Sequence, residues 1–427
     1  MIVNTPQHDK ATTLVRPLGA AERLFYRYSE RNPAHFSIVA EFGEVLHADE
    51  LRTALAAVQR RHPLLSVHVE DRPGIRLGFY RAATVAPVEL TISRVPELAW
   101  QAAAAAELSR PFDRSRAPLM RASLLQSSTR SALLLTFDHT IADGISSIVV
   151  LTDLIAALSG AVLASLPVPQ AQERIVATAL EAAEPLDPTA QSDDPRMGTP
   201  SVIRPFDGTL TNVRNLAMTQ AETAALVRRC RAENTTVHAA LVVAMCRVRA
   251  AVRGEEFIRV LNPMNLRPML AIEGGCVLCI LPAATGHAPW DGTSFWEQAR
   301  ATTAHLNAAR SAPAIRTTTD ALEQVIPIDA DTDDAEHLFS RISPWDVMVT
   351  NLGVQNLDGA TALRPTAVWG PVVLSQTDGE YLTGVTTYEG TTEDGDLRLQ
   401  RAGDLLEVCG RRPDGCCRRA LIATIAR

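Results

Sequence analysis

The stretch that most constrains the fold is residues 131–159. Leu133, Leu134, Leu135, Thr136 and Phe137 make an apolar run of strand length. Asp138-His139-Thr140-Ile141-Ala142-Asp143-Gly144 follows at once, and then an apolar stretch of helical length to residue 159. A strand this apolar is covered on both faces, and a helix this apolar is buried in turn. The polar joint is therefore trapped where a buried strand meets a helix N-terminus. Such a place gathers a desolvated imidazole (His139), a nearby carboxylate and the N–H groups of a first helical turn around Gly144. An imidazole there suits general-base work, and the N–H groups suit a developing oxyanion. A turn holding a hydrogen-bonded core histidine has the same pattern, and spacing alone leaves both open.

At 427 residues the chain is too long for one compact core, so two domains are expected. In the first half, spacing predicts helices over 20–30, 50–61, 99–108 and 144–159. Strands are predicted over 35–42, 64–69, 75–80, 88–92, 119–126 and 131–137, the last two joined by a polar break at 127–130. Residues 166–208 hold seven prolines and the acidic pair Asp193 and Asp194 around one helix at 172–183, the texture of a linker. Beyond it, helices are predicted over 220–231, 237–251, 294–309 and 319–325. Strands are predicted over 258–262, 277–281, 347–350, 367–374, 382–388 and 397–401. The class is α+β with an antiparallel-rich sheet, organised as a first half 1–165, a linker 166–208 and a second half 209–427.

A net charge of −7 argues against a nucleic-acid or anionic-membrane partner, and Lys10 is the one lysine among 41 basic residues. Seven scattered cysteines do not form a disulfide framework, so a reducing, cytoplasmic setting is expected. The first 18 residues lack the apolar core of a secretory signal, and residues 145–166, interrupted by Asp153, suit a buried helix better than a membrane span. The sequence contains no Gly-rich phosphate loop, GxGxxG, HExxH or GxSxG pattern. Cys276 and Cys279 fall in an expected apolar strand, which does not turn both thiols toward one metal. Cys416 and Cys417 sit among Arg411, Arg412, Arg418 and Arg419. Those cations can lower a thiol pKa, although a solvated basic tail is the plainer interpretation.

Residues 138–144 resemble the HHxxxDG signature of the chloramphenicol acetyltransferase-like superfamily, which includes condensation domains and polyketide-associated (PapA5-type) acyltransferases. Neighbouring segments follow in the family's order. Leu18-Gly19-Ala20-Ala21-Glu22 is similar to its opening "LSxxE". Leu51 and Leu55, followed by Arg60-Arg61-His62-Pro63-Leu64-Leu65, resemble its "L..AL..L..RHP.L" unit. Pro118-Leu119-Met120-Arg121-Ala122 resembles the strand before the motif hairpin. Asn265-Leu266-Arg267-Pro268 is similar to "DLRP", and Thr350-Asn351-Leu352-Gly353 to "(S/T)NxG".

The resemblance implies a pseudo-dimer of two chloramphenicol acetyltransferase-like halves with a tunnel at their interface and His139 at its middle. An acyl thioester then enters from one face and a nucleophile from the other, and His139 takes the nucleophile's proton. Asp143 and Gly144 shape the motif, with Arg267 as the partner of Asp143. Thr350 and Asn351 border the tunnel, where they either steady the tetrahedral intermediate or merely close a strand end. Asp138 replaces the first motif histidine. Its carboxylate faces away from His139 if the strand continues, and raises the His139 pKa if the chain bends; a continuing strand is expected.

The implied activity is a stand-alone acyl-CoA-dependent O-acyltransferase, moving a short acyl group such as acetyl to a natural-product hydroxyl, for instance on a polyketide. No bound cofactor or metal is implied, and acyl-CoA is a co-substrate. The alternatives are a condensation enzyme using an acyl-carrier protein donor to form an ester or amide, and a non-catalytic binding module. Arg228, Arg229, Arg231 and the C-terminal arginines are candidate contacts for the donor. A monomer would suffice.

Overall fold

The computed structural model describes residues 12–186, 194–357, 363–388 and 396–403. The first half begins with β1 (Thr12–Pro17), α1 (Ala20–Tyr28), β2 (Phe36–Phe42) and α2 (Ala48–Arg61). It continues with β3 (His68–Arg72), β4 (Arg76–Ala82), β5 (Glu89–Arg94) and α3 (Trp100–Leu108). β6 (Met120–Gln126), β7 (Ser131–Phe137), α4 (Gly144–Leu158) and α5 (Gln172–Ala179) follow. The second half holds β8 (Val213–Ala217), α6 (Gln220–Ala232), α7 (Val237–Arg253), β9 (Ile258–Asn265), α8 (Arg267–Leu270) and β10 (Ile280–His287). Then come α9 (Phe295–Ala309), α10 (Ala312–Val325), α11 (Thr332–His337) and a π-helical turn, Leu338–Ile342. β11 (Val347–Gln355), β12 (Pro365–Val373), β13 (Tyr381–Tyr388) and β14 (Asp396–Gly403) complete it.

The strands form three sheets. β1-β4-β3 is a small antiparallel sheet, β12-β2-β7-β6-β5 is a five-stranded sheet, and β10-β9-β11-β13-β14-β8 is a six-stranded one. Pairing is mostly antiparallel, with parallel contacts at β5–β6, β11–β13 and β11–β9. The five-stranded sheet is completed from far along the chain, because β12 pairs antiparallel with β2. A bulge interrupts that pairing between Trp369 and Val372. Within it Gly370 has φ +146°, and a Cβ there would meet the Ile38 backbone at 3.2 Å, so glycine is required.

β7 is buried at every residue, as its unbroken apolar run demands, and delivers the chain to α4, whose Val150, Leu151 and Leu154 are fully buried. α4 packs against α2 and against β7, β2 and β11. Hydrophobic burial on both sides of this strand–helix unit fixes where the joint between them lies.

Several elements depart from the expected pattern. Residues 64–69 are not a strand: Pro63–Ser66 is a 3-10 turn, because Pro63 at its first position favours helical φ, and β3 starts at His68. Residues 276–279 form a loop, and β10 begins at Ile280. Ser311 caps Ala314 and Pro313 fits the first turn, so α10 starts well before the expected 319. The expected helix at 172–183 stops at Ala179, with Val176 fully buried and the helix packed on α10 and α8. β1 and β8 were not foreseen. The strand expected at 397–401 lies inside β14, whereas Cys416, Cys417 and the C-terminal arginines lie outside the described residues. Among the described residues no single helix is long and apolar enough to cross a membrane.

Candidate active site

β7 ends at Phe137, and the chain bends there instead of continuing through Asp138. The Asp138 N–H donates to the Leu119 carbonyl (3.0 Å), and its side chain accepts the Thr140 N–H (2.9 Å). This corrects the expected strand geometry: the buried Asp138 carboxylate caps a turn two residues on, as aspartate side chains do. His139 emerges from that turn between two aromatic rings. Phe25 of α1 lies flat on the imidazole (centroids 3.9 Å apart, planes 6° off parallel), and Phe36 of β2 is tilted against it at 4.9 Å. The buried Nδ1 has no hydrogen-bond partner. Burial disfavours the charged ring and sets the direction: the His139 pKa lies below its ordinary 6.5. Asp143, Asp138 and the carbonyls of His139 itself and Ala142 pull the other way without reversing it.

The second carboxylate of the joint faces away from the imidazole into a closed network. Asp143, with 0% exposure, is the N-cap of α4: Oδ1 accepts the Ser146 N–H (2.8 Å). Its Oδ2 accepts from Arg267 Nη1 (2.8 Å) and from the Cys279 N–H (2.7 Å). Arg267 Nη2 donates to Ser146 Oγ (2.9 Å) and to the Val277 carbonyl (2.7 Å). Ser146 Oγ in turn donates to the Val277 carbonyl (2.6 Å) and accepts the Val277 N–H (3.0 Å). Burial works against the guanidinium charge, but Asp143 outweighs it and holds Arg267 above its ordinary pKa. The loop at 276–279 thus meets the N-terminus of α4 through its backbone, and its thiols have another character. Burial raises both Cys276 and Cys279, the latter to about 12, which leaves them as neutral apolar groups.

His139, Gly144, Thr350 and Asn351 line one cavity of about 370 Å³, whereas Asp143 and Arg267 stand outside its lining. Residues from both halves wall it, including Phe25, Ile145, Leu281 and Met348. A Cβ on Gly144 would lie 2.6 Å from Leu352 Cδ2, so the motif glycine lets β11 approach the start of α4. Asn351 Oδ1 accepts the Gly353 N–H (2.8 Å), and Gly353 has φ +75°, so that side-chain oxygen closes a turn. Of the N–H groups around Gly144, Ser146 donates to the Asp143 side chain and Ser147 to the Asp143 carbonyl. Gly144 and Ile145, which line the cavity, bring the first two helical positions to it.

Sequence reasoning missed Phe25, Ser146 and Leu352. Ser146 had a positional signal, two residues past the motif glycine. Phe25 had none, because an aromatic on an amphipathic helix looks like ordinary core. Arg228, Arg229 and Arg231 lie exposed on α6, and none lines the cavity; Arg229 pairs with Glu233 (2.8 Å).

Residues 21–176 match the condensation domain family. Over 155 residues the chain is 33% identical to phosphinothricin tripeptide synthetase PhsC of Streptomyces viridochromogenes, a match spanning 34% of this chain and 14% of that protein. Polyketide synthase associated protein 5 from Mycobacterium tuberculosis is structurally similar at a TM-score of 0.66 and 17% identity, with 97% of this chain and 98% of that one covered. The first condensation domain of the calcium-dependent antibiotic synthetase gives 0.65 at 14% identity, with 96% of each chain covered. The epimerization domain from the third module of tyrocidine synthetase B gives 0.65 at 14% identity, covering 99% and 98%. The fold is therefore the chloramphenicol acetyltransferase-like one of condensation domains, an α+β pseudo-dimer of two halves.

Proposed function

We propose that this protein, built on the condensation-domain fold, transfers an acyl group from a thioester to a hydroxyl with His139 as general base. One observation carries the proposal: an imidazole held between two aromatic rings, biased toward its neutral form, on the wall of a cavity where both halves meet. A neutral imidazole is the form a base must have before it takes a proton. In the proposed step the acceptor oxygen attacks the thioester carbonyl carbon while its proton passes to His139. The carbonyl electrons move to oxygen, giving a tetrahedral oxyanion. As the oxyanion collapses, the C–S bond breaks, and the departing sulfur takes the proton from His139, leaving an ester and a free thiol. Thr350 and the first turn of α4 at Gly144 are the cavity groups suited to steadying the oxyanion. Asp143 and Arg267 hold that turn in place without touching the reacting atoms.

Acyl-CoA is the proposed donor, a co-substrate that arrives and leaves, and a natural-product hydroxyl is the proposed acceptor. A donor carried on a phosphopantetheinyl protein is the second reading, favoured by the match to the condensation domain family and to a tripeptide synthetase. The chemistry at His139 is the same for both. Thiol release should be followed with acyl-CoA and acyl-carrier-protein donors in the presence of an alcohol panel. Loss of about 10²–10⁴-fold in His139→Ala is the expected result. Equal rates in the wild type and His139→Ala would remove His139 as the base, and the faster donor type decides between the readings.

A further inference from the structure

We infer that the cavity beside His139 takes an uncharged, hydrocarbon-rich group far larger than acetyl, carried by one of the two substrates. The inference rests on the acyl-transfer reading and names the chemical class of its substrate. At about 370 Å³ the cavity is more than twice the roughly 150 Å³ that holds a benzene ring. An acetyl group would leave most of it empty. Its wall includes Leu24 of α1, Leu322 and Val325 of α10, and Phe339 and Ile342 of the π-helical turn. Among the described residues no Asp, Glu, Lys or Arg lines it. A charged α-amino group placed there would lose its hydration without gaining an ionic partner, a cost of several kcal/mol for an unpaired charge. Aminoacyl groups are therefore disfavoured, and aliphatic or aromatic groups gain by burial.

The opening lies toward α10 and the π-helical turn. Thr318 and Ala321, both exposed, and the half-exposed Ile342 line the cavity while facing solvent. A hydrocarbon extending from the reacting carbon would run past His139 toward that rim. Its source is either the acyl chain of the donor or the body of the acceptor alcohol.

The test measures binding alone, using His139→Ala, which retains the cavity and lacks the base. Trp345 lies in the cavity wall, so its fluorescence can follow titration with two series: acyl-CoA thioesters from acetyl to decanoyl, and 1-alkanols from ethanol to decanol. The expected result is a gain of about three- to fourfold per methylene in one series, levelling off as the space fills. The series that gains identifies the source. Leucyl-CoA should bind at least tenfold more weakly than the uncharged 4-methylpentanoyl-CoA. Ala321→Trp, at an exposed position that folding tolerates, and Leu322→Trp should bring the levelling-off to shorter chains. Affinity that is flat with length in both series, or equal for the charged and uncharged branched thioesters, overturns the inference. These outcomes are independent of turnover. Length-dependent binding without His139-dependent thiol release would sink the acyl-transfer reading and leave the apolar site standing, and the reverse pattern would do the opposite.

Discussion

Phe25 lies flat on the His139 ring, and together with Phe36 it orients an imidazole whose Nδ1 makes no hydrogen bond. Catalytic histidines are commonly oriented through that second nitrogen. Here the stacked Phe25 ring holds the imidazole beside the backbone carbonyls of His139 and Ala142, and the same packing excludes the water that would stabilise the imidazolium. Phe25→Ala should therefore let the His139 pKa rise toward 6.5. With His139 as the proposed base, activity would then fail at a higher pH on the acid side than in the wild type. The acid limb of kcat/KM against pH measures this directly. A freed ring should also lower kcat by about ten- to a hundredfold. Phe25→Leu keeps the cover but loses the flat contact, so it should lower kcat while shifting the limb less.

Among the elements, the joint between α4, α8 and the loop at 276–279 is held by Asp143. Replacing that residue with asparagine removes the charge opposite a buried guanidinium and should cost about 3–5 kcal/mol of stability, measured by denaturant unfolding. Full stability with lost activity would contradict this role for Asp143. The sequence made this joint legible because a motif, a buried strand and a buried helix coincide at residues 131–159. It misled at Cys276-Val277-Leu278-Cys279-Ile280-Leu281, where an unbroken apolar run read as strand. Those first four residues are buried by being clamped onto α4 through backbone N–H and carbonyl groups, a long-range arrangement that no local period encodes. Likewise the turn at Asp138 depends on the Leu119 carbonyl, and the aromatic partners of His139 come from α1 and β2. Local pattern identified the histidine and could not supply its surroundings.

At the scale of the whole molecule, one buried carboxylate links stability to pH. Glu380 is 1% exposed and accepts from Ser375 N–H (2.9 Å), Ser375 Oγ (2.7 Å) and Gln376 N–H (3.2 Å). Burial outweighs these donors and raises its pKa from 4.5 to about 7. The unfolded chain therefore loses this proton near pH 4.5 and the folded chain near 7, so at this residue the fold holds the extra proton between those values. The contribution of Glu380 to stability falls as pH rises through that window, by on the order of 3 kcal/mol, whereas His35, His238 and His287, each lowered by burial to about 4, contribute in the opposite direction. Glu380→Gln removes the falling contribution, so Tm should rise more steeply with pH between 4.5 and 7 than it does in the wild type. An unchanged slope would place the titration elsewhere.

The crossing of β12 into the sheet begun by β2 and β7 has a further consequence, for how the polypeptide can be divided. β2 would otherwise present an unpaired row of backbone donors and acceptors to any strand that met it. A fragment of residues 12–186 should therefore self-associate. The nine-residue peptide of β12, Pro-Thr-Ala-Val-Trp-Gly-Pro-Val-Val, should restore a soluble species when added in trans. The later part of the gene thus supplies the chaperone for the earlier part.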